Sequence, residues 1–125
     1  MRYLIVFVGA GFGGALRHFI NHAVAQMGVA VPMGTLAINV AGSFAMGAIA
    51  EYFALRAHLP LEWRLFLTTG ILGGFTTFSA FSLEAALLYE RGQLVYAAGY
   101  VLGSVGLSIG ALFAALALVR TLLKN

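Results

Sequence analysis

Three segments of this 125-residue chain place polar residues at helical spacing inside otherwise apolar sequence. Thr35, Asn39 and Ser43 stand four residues apart, so on a helix they form one stripe of hydroxyl, amide and hydroxyl groups. Tyr100, Ser104 and Ser108 repeat that spacing near the C-terminus. Between them, Gly73-Gly74-Phe75-Thr76-Thr77-Phe78-Ser79-Ala80-Phe81-Ser82 sets a glycine pair before two threonines. On a helix after that point Phe78 and Phe81 share one face, and Ser79 and Ser82 another. All these groups are neutral, and the chemistry open to them is recognition or passage of a polar species. Each also has a packing explanation. Asn39 serves equally as interhelical glue, serine hydroxyls bond back to their own helix, and phenylalanines fill cores. Three polar stripes on three helices are harder to attribute to packing alone.

Ionisable residues inside hydrophobic spans are functional candidates by default. Arg17 lies about 21 Å along the first helix from Tyr3 at a rise of about 1.5 Å per residue. From there it can snorkel to an interface or present charge at a vestibule. Glu84 follows Phe81 by one turn and is placed to pair or cap. Glu51, Glu62 and Glu90 fall near span ends, where solvation is expected. His18, His22 and His58 form no constellation with carboxylates or with one another, so no zinc site is expected. The chain has no cysteine, and no Ser/His/Asp arrangement, phosphate loop or dinucleotide fingerprint occurs. An enzyme is not expected.

The elements that must position these residues are membrane spans. Hydrophobic residues make up 62% of the chain and charged ones 9%, against about 25% charged in soluble domains, so the chain lacks the polar surface to cover a water-soluble globule. Its net charge of +3 comes from seven scattered Lys and Arg near helix ends, a pattern suited to lipid headgroups rather than nucleic acid. Crossing about 30 Å of hydrocarbon takes about 20 apolar residues, and four stretches qualify: 3–26, 32–55, 63–90 and 94–122. They make one all-α domain, 1–125, with connections too short for anything outside the bilayer. Pro32 suits a first helical turn and Gly92 a helix C-terminus; Trp63 and Tyr3 suit the interface. The N-terminal run imitates a signal peptide, but Arg17, His18 and His22 precede the cleavage-like Ala23-Val24-Ala25, and a retained first helix is expected.

Gly73-Gly74-Phe75-Thr76-Thr77 is poor continuous helix, so a break near mid-membrane is expected in the third span. Such a break is tolerated only where it is buried in protein or lines a cavity. It exposes carbonyls on one side and N–H groups on the other, which serve cations and anions respectively. Pairs such as Gly9/Gly13, Gly70/Gly74, Gly99/Gly103 and Gly106/Gly110 have the spacing that lets helices approach closely in lipid. Four helices of this size enclose little volume, so a solute pathway forms more easily between subunits. Arg2, Arg56, Arg64, Arg120 and Lys124 fall on the side of the termini. The other side has Arg91, with Arg17 if it reaches that interface. This predicts cytoplasmic termini.

Gly34-Thr35-Leu36…Asn39…Gly42 and the 73–82 segment, with Gly14-Ala15-Leu16-Arg17 upstream, resemble the Fluc (CrcB) family of fluoride channels, in length, span count and motif order across the full chain. The resemblance implies antiparallel, dual-topology dimers in the bacterial inner membrane that pass fluoride out of the cell. It implies Asn39, Phe78 and Phe81 along the pathway, a hydroxyl track of Tyr100, Ser104 and Ser108, and a contribution from Thr77. Arg17 would support a vestibule. The backbone carbonyls of Gly73 and Thr76 would hold a structural sodium ion at the dimer centre. The charge bias leaves open pairing with an oppositely inserted homologue in place of a homodimer. Two rival functions are a small proton-coupled multidrug-type exporter and a non-transporting membrane subunit. The exporter requires a carboxylate deep in the first helix, and residues 3–26 contain none.

Overall fold

The computed structural model describes residues 1–28, 32–56 and 58–124. The first two expected loops, 27–31 and 56–62, therefore lie partly outside the described residues. Four spans are present: α1 (Arg2–Gln26), α2 (Met33–Leu55), a composite third span (Leu61–Glu90) and α6 (Leu94–Leu123). In hydrocarbon every backbone donor and acceptor must be satisfied within the protein, and helices do this locally. At 25 residues, α1 alone is roughly 37 Å long, enough to cross. Its outer face is apolar, with Phe7 76% and Phe12 63% exposed, as suits a surface bathed in lipid. Pro32 stands one residue before α2 begins, and Gly92, at φ +78°, ends the third span in the left-handed conformation that favours glycine.

The third span is built from four pieces. α3 (Leu61–Arg64) runs into a π-helical stretch, Leu65–Leu72, and then a single α-turn, α4 (Gly73–Phe75). Two extended residues follow, Thr76 (φ −86°, ψ 157°) and Thr77 (φ −151°, ψ 119°), before α5 (Phe78–Glu90) resumes. The expected break is therefore real. It falls on the threonines, whose β-branched side chains favour extended backbone. The glycines remain helical, Gly73 at φ −62° and ψ −38°. Their role is close approach: a Cβ on Gly74 would lie 2.9 Å from Ala10 Cα, and one on Gly9 would lie 2.8 Å from the Phe66 carbonyl oxygen. The π-helical stretch has no signal in the sequence.

Packing follows from these seams. α1 lies on the π-helical stretch and α4, whereas α2 lies on α6, and α5 also leans on α6. One buried cluster joins Ile38, Leu72 and Phe75; another joins Phe81, Leu88, Ala97 and Tyr100. The two glycine pairs on α6 behave differently from those on α1 and the third span. Among the described residues, Gly99, Gly103, Gly106 and Gly110 have nothing within 4 Å of where a Cβ would stand. A further correction concerns Glu51, expected to be solvated. It is only 8% exposed and pairs with Arg120 across the α2–α6 seam, because the two helices pack closely up to that end.

Candidate functional site

The interruption at Thr76–Thr77 strips neighbouring backbone groups of helical partners, and side chains from other spans replace them. Asn39 of α2 does most of this. Its Oδ1 accepts from the Thr77 N–H (3.0 Å) and its Nδ2 donates to the Thr77 carbonyl (3.1 Å). The amide thus clips the extended backbone from both sides, which is the interhelical bonding that the sequence allowed. One N–H of the Asn39 amide is left over, since the NH2 group carries two donors. The Thr77 hydroxyl caps α5 by accepting from the Ala80 N–H (3.1 Å), and the Thr76 hydroxyl donates to the Leu72 carbonyl (2.8 Å).

Arg17 resolves the alternatives posed for it. Its Nε donates to the Gly74 carbonyl at 3.1 Å, so the guanidinium turns inward to the break instead of snorkelling outward. A cation there complements the negative end of the first half-helix and satisfies a carbonyl the break has orphaned.

Beside the break lies an open crevice of about 370 Å³ whose lining includes Asn39, Ser43, Thr77, Phe78, Phe81, Ser104 and Ser108. Six of the seven pathway residues expected from sequence therefore converge here, from α2, the break, α5 and α6. Phe78 is 77% exposed whereas Phe81 is buried, their ring centroids 5.6 Å apart. The Phe81 ring in turn lies 5.2 Å from Tyr100. Ser104 is 5% exposed, and its hydroxyl has no hydrogen-bond partner, alone among the buried side-chain polar atoms of the described residues. An unpartnered buried hydroxyl is costly, and this one belongs to a residue of the crevice wall.

Tyr100 is placed differently from the two serines. Its hydroxyl donates to Glu84 Oε2 (3.1 Å), and Thr35 donates to Glu84 Oε1 (2.7 Å). A carboxylate inside the membrane is thus held by two O–H donors from α2 and α6, at one end of the Phe78–Phe81–Tyr100 aromatic series. The sequence placed Glu84 one turn beyond Phe81 to pair or cap, and it does pair, but the partners were not legible. Its two partners belong to other helices, and no local spacing joins the three. Gly73 and Thr76, expected to hold a cation through their carbonyls, flank the break. Among the described residues no group of three or more His, Asp or Glu side chains gathers as a metal site.

Four spans, an interrupted third helix and a mainly apolar crevice that gathers a few hydroxyl and amide groups at the interruption define a polytopic membrane protein with a crevice midway along its third span. The chain belongs to the family described as CrcB-like protein, Camphor Resistance (CrcB), whose profile matches residues 4–116. It is similar to a protein of Granulibacter bethesdensis named fluoride-specific ion channel FluC, 62% identical over all of this chain and 99% of that one. Proteins of the same name from Methylobacterium nodulans (62% identical, 94% of each chain) and Rhodopseudomonas palustris (59%, covering 98% of this chain and 99% of the other) are also similar. With four spans and bacterial relatives, this is a multi-pass protein of the bacterial inner membrane.

Proposed function

We propose that the protein is a fluoride-selective channel that lets fluoride leave the cell passively, down its electrochemical gradient. Its family membership and the names of its relatives point to this ion. The crevice supports it chemically, above all through the unpartnered Ser104 hydroxyl. Fluoride is small and strongly hydrated, so a pathway must replace its water with several donors. The Ser104 and Ser108 hydroxyls, the remaining Asn39 N–H and the positive edges of Phe78 and Phe81 supply such donors. None carries a full charge, and Arg17 is engaged at Gly74, so the ion is not trapped. Nothing in this sequence of steps is catalytic. The exporter reading has no carboxylate in α1 to support it.

In this reading the working unit contains two chains of opposite orientation. Phe78 projects outward, the crevice lacks a wall on that side, and the α6 glycines have no neighbour. His18 and Ser82 are also exposed, and polar groups facing hydrocarbon without partners are costly. A sodium ion at the centre of the pair, on the Gly73 and Thr76 carbonyls, fits the break. The Thr77 N–H that would close a helical bond on Gly73 is donated to Asn39, and hard cations prefer such oxygens. Two carbonyls are too few for a complete shell, and the second chain would supply the others. Because Arg17 points to the break, the side opposite the termini retains Arg91 alone of the seven basic residues. That asymmetry favours pairing with an oppositely inserted homologue as the second reading.

The test is fluoride efflux from liposomes containing the purified protein. Efflux well above protein-free vesicles, with chloride retained, is expected; efflux at background overturns the proposal.

A further inference from the structure

A second crevice, of about 520 Å³, lies at the end of the bundle that carries the chain termini. It is walled by Ile49, Tyr52 and Phe53 of α2, Trp63 of α3, Leu67 of the π-helical stretch and Val119 of α6. Its volume falls in the range of about 300–1,000 Å³ typical of small-ligand pockets, and its walls are almost wholly apolar. Trp63 is 59% and Tyr52 43% exposed, so the crevice is open at its aromatic wall, and such side chains favour the headgroup zone. Two arginines flank it in the chain: Arg64 adjoins Trp63, and Arg56 follows Tyr52 by one helical turn. Glu62 and His58 share that segment. Arg120, next to Val119, is already paired with Glu51, which leaves Arg56 and Arg64 as the cations on the segments that supply the crevice wall. An apolar slot whose wall segments carry arginines next to interfacial aromatics is complementary to one amphipathic molecule, an anionic phospholipid. Basic pockets between transmembrane helices bind such headgroups.

We propose that this crevice is a binding site for an anionic phospholipid, with one acyl chain against Trp63 and Val119 and the phosphate near Arg56 and Arg64. The site is separate from the Asn39–Ser108 crevice and does not depend on which ion that crevice passes. Trp63 is the sole tryptophan of the chain, so it reports on this site without interference. The full-length protein is reconstituted in phosphatidylcholine vesicles containing a fixed fraction of acyl-brominated phosphatidylglycerol, or the same fraction of acyl-brominated phosphatidylcholine. Quenching of Trp63 fluorescence gives the relative association of the two lipids.

The brominated phosphatidylglycerol is expected to associate more strongly by about fivefold or more, the factor one arginine–headgroup attraction corresponds to. That preference should shrink with added salt and fall towards unity in the Arg56→Gln/Arg64→Gln double variant. It should survive Arg91→Gln, at the opposite end of the third span. Equal quenching by the two lipids in the unaltered protein overturns the proposal. So does quenching by neither, which would mean that a second copy of the chain closes the crevice. A salt-independent preference overturns it as well, and that measurement needs no variant to fold.

Discussion

Ser104 and Asn39 line the same crevice, yet their side chains are in opposite situations, and substitution should separate them. The Ser104 hydroxyl bonds to nothing in the protein, so Ser104→Ala breaks no hydrogen bond. Its unfolding temperature in detergent should be unchanged or slightly raised, while fluoride efflux falls. A loss of stability equal to the loss of flux would make Ser104 a structural residue. Asn39→Ala instead leaves both the N–H and the carbonyl of Thr77 without partners. At about 1–3 kcal/mol for each stranded group, it should cost roughly 2–6 kcal/mol of stability along with its flux. Replacing Phe78 or Phe81 by Ile removes the positive ring edge but keeps apolar bulk. Each variant should conduct more slowly while still eluting as the two-chain species on size exclusion. Unchanged flux in both would take the rings out of the mechanism.

At the scale of the element, the third span holds the site because each irregularity in it is matched by a neighbour. Arg17 closes the end of α4, Asn39 clips the extended pair, and Thr77 caps α5. The glycines before the break are needed for contact with α1. Gly74→Ala would force a methyl group against the Ala10 backbone, and overpacking of this kind costs about 1–3 kcal/mol. Its melting temperature should drop measurably in detergent. Gly103→Ala meets nothing within the chain. Its effect should appear only in the dissociation of the two-chain assembly in lipid, with the stability of the single chain unaltered.

For the molecule as a whole, the proposed two-chain unit accounts for one exposed aromatic ring, one open crevice wall and one glycine face without neighbours among the described residues. On that proposal, charge distribution distinguishes a second copy from an oppositely inserted homologue as the partner. Four of the basic residues on the side of the termini, Arg2, Arg56, Arg64 and Lys124, have no partner among the described residues comparable to the Arg120–Glu51 pair. Because orientation follows Lys and Arg near span ends, a C-terminal topology reporter should show mainly cytoplasmic termini. Replacing Arg2 and Lys124 by Gln should shift a measurable fraction of chains to the opposite orientation. An even distribution in the unaltered chain would favour the homodimer and remove the need for a homologous partner.

Spans, their order and the existence of a break follow from local sequence, since hydrophobic length and helix propensity act over a few neighbouring residues. The polar stripes were equally legible, because Thr35/Asn39/Ser43 and Tyr100/Ser104/Ser108 need only helical periodicity to share a face. What each polar group does was decided by tertiary contact. Whether Asn39 clips Thr77, whether Arg17 faces the break, and whether Glu84 gathers Thr35 and Tyr100 depend on residues 16 to 57 positions apart. The same holds for the placement of the break on Thr76–Thr77. The glycines could have yielded as readily, but α1 packs against them and Asn39 awaits the threonine backbone, and only the folded bundle supplies those two partners.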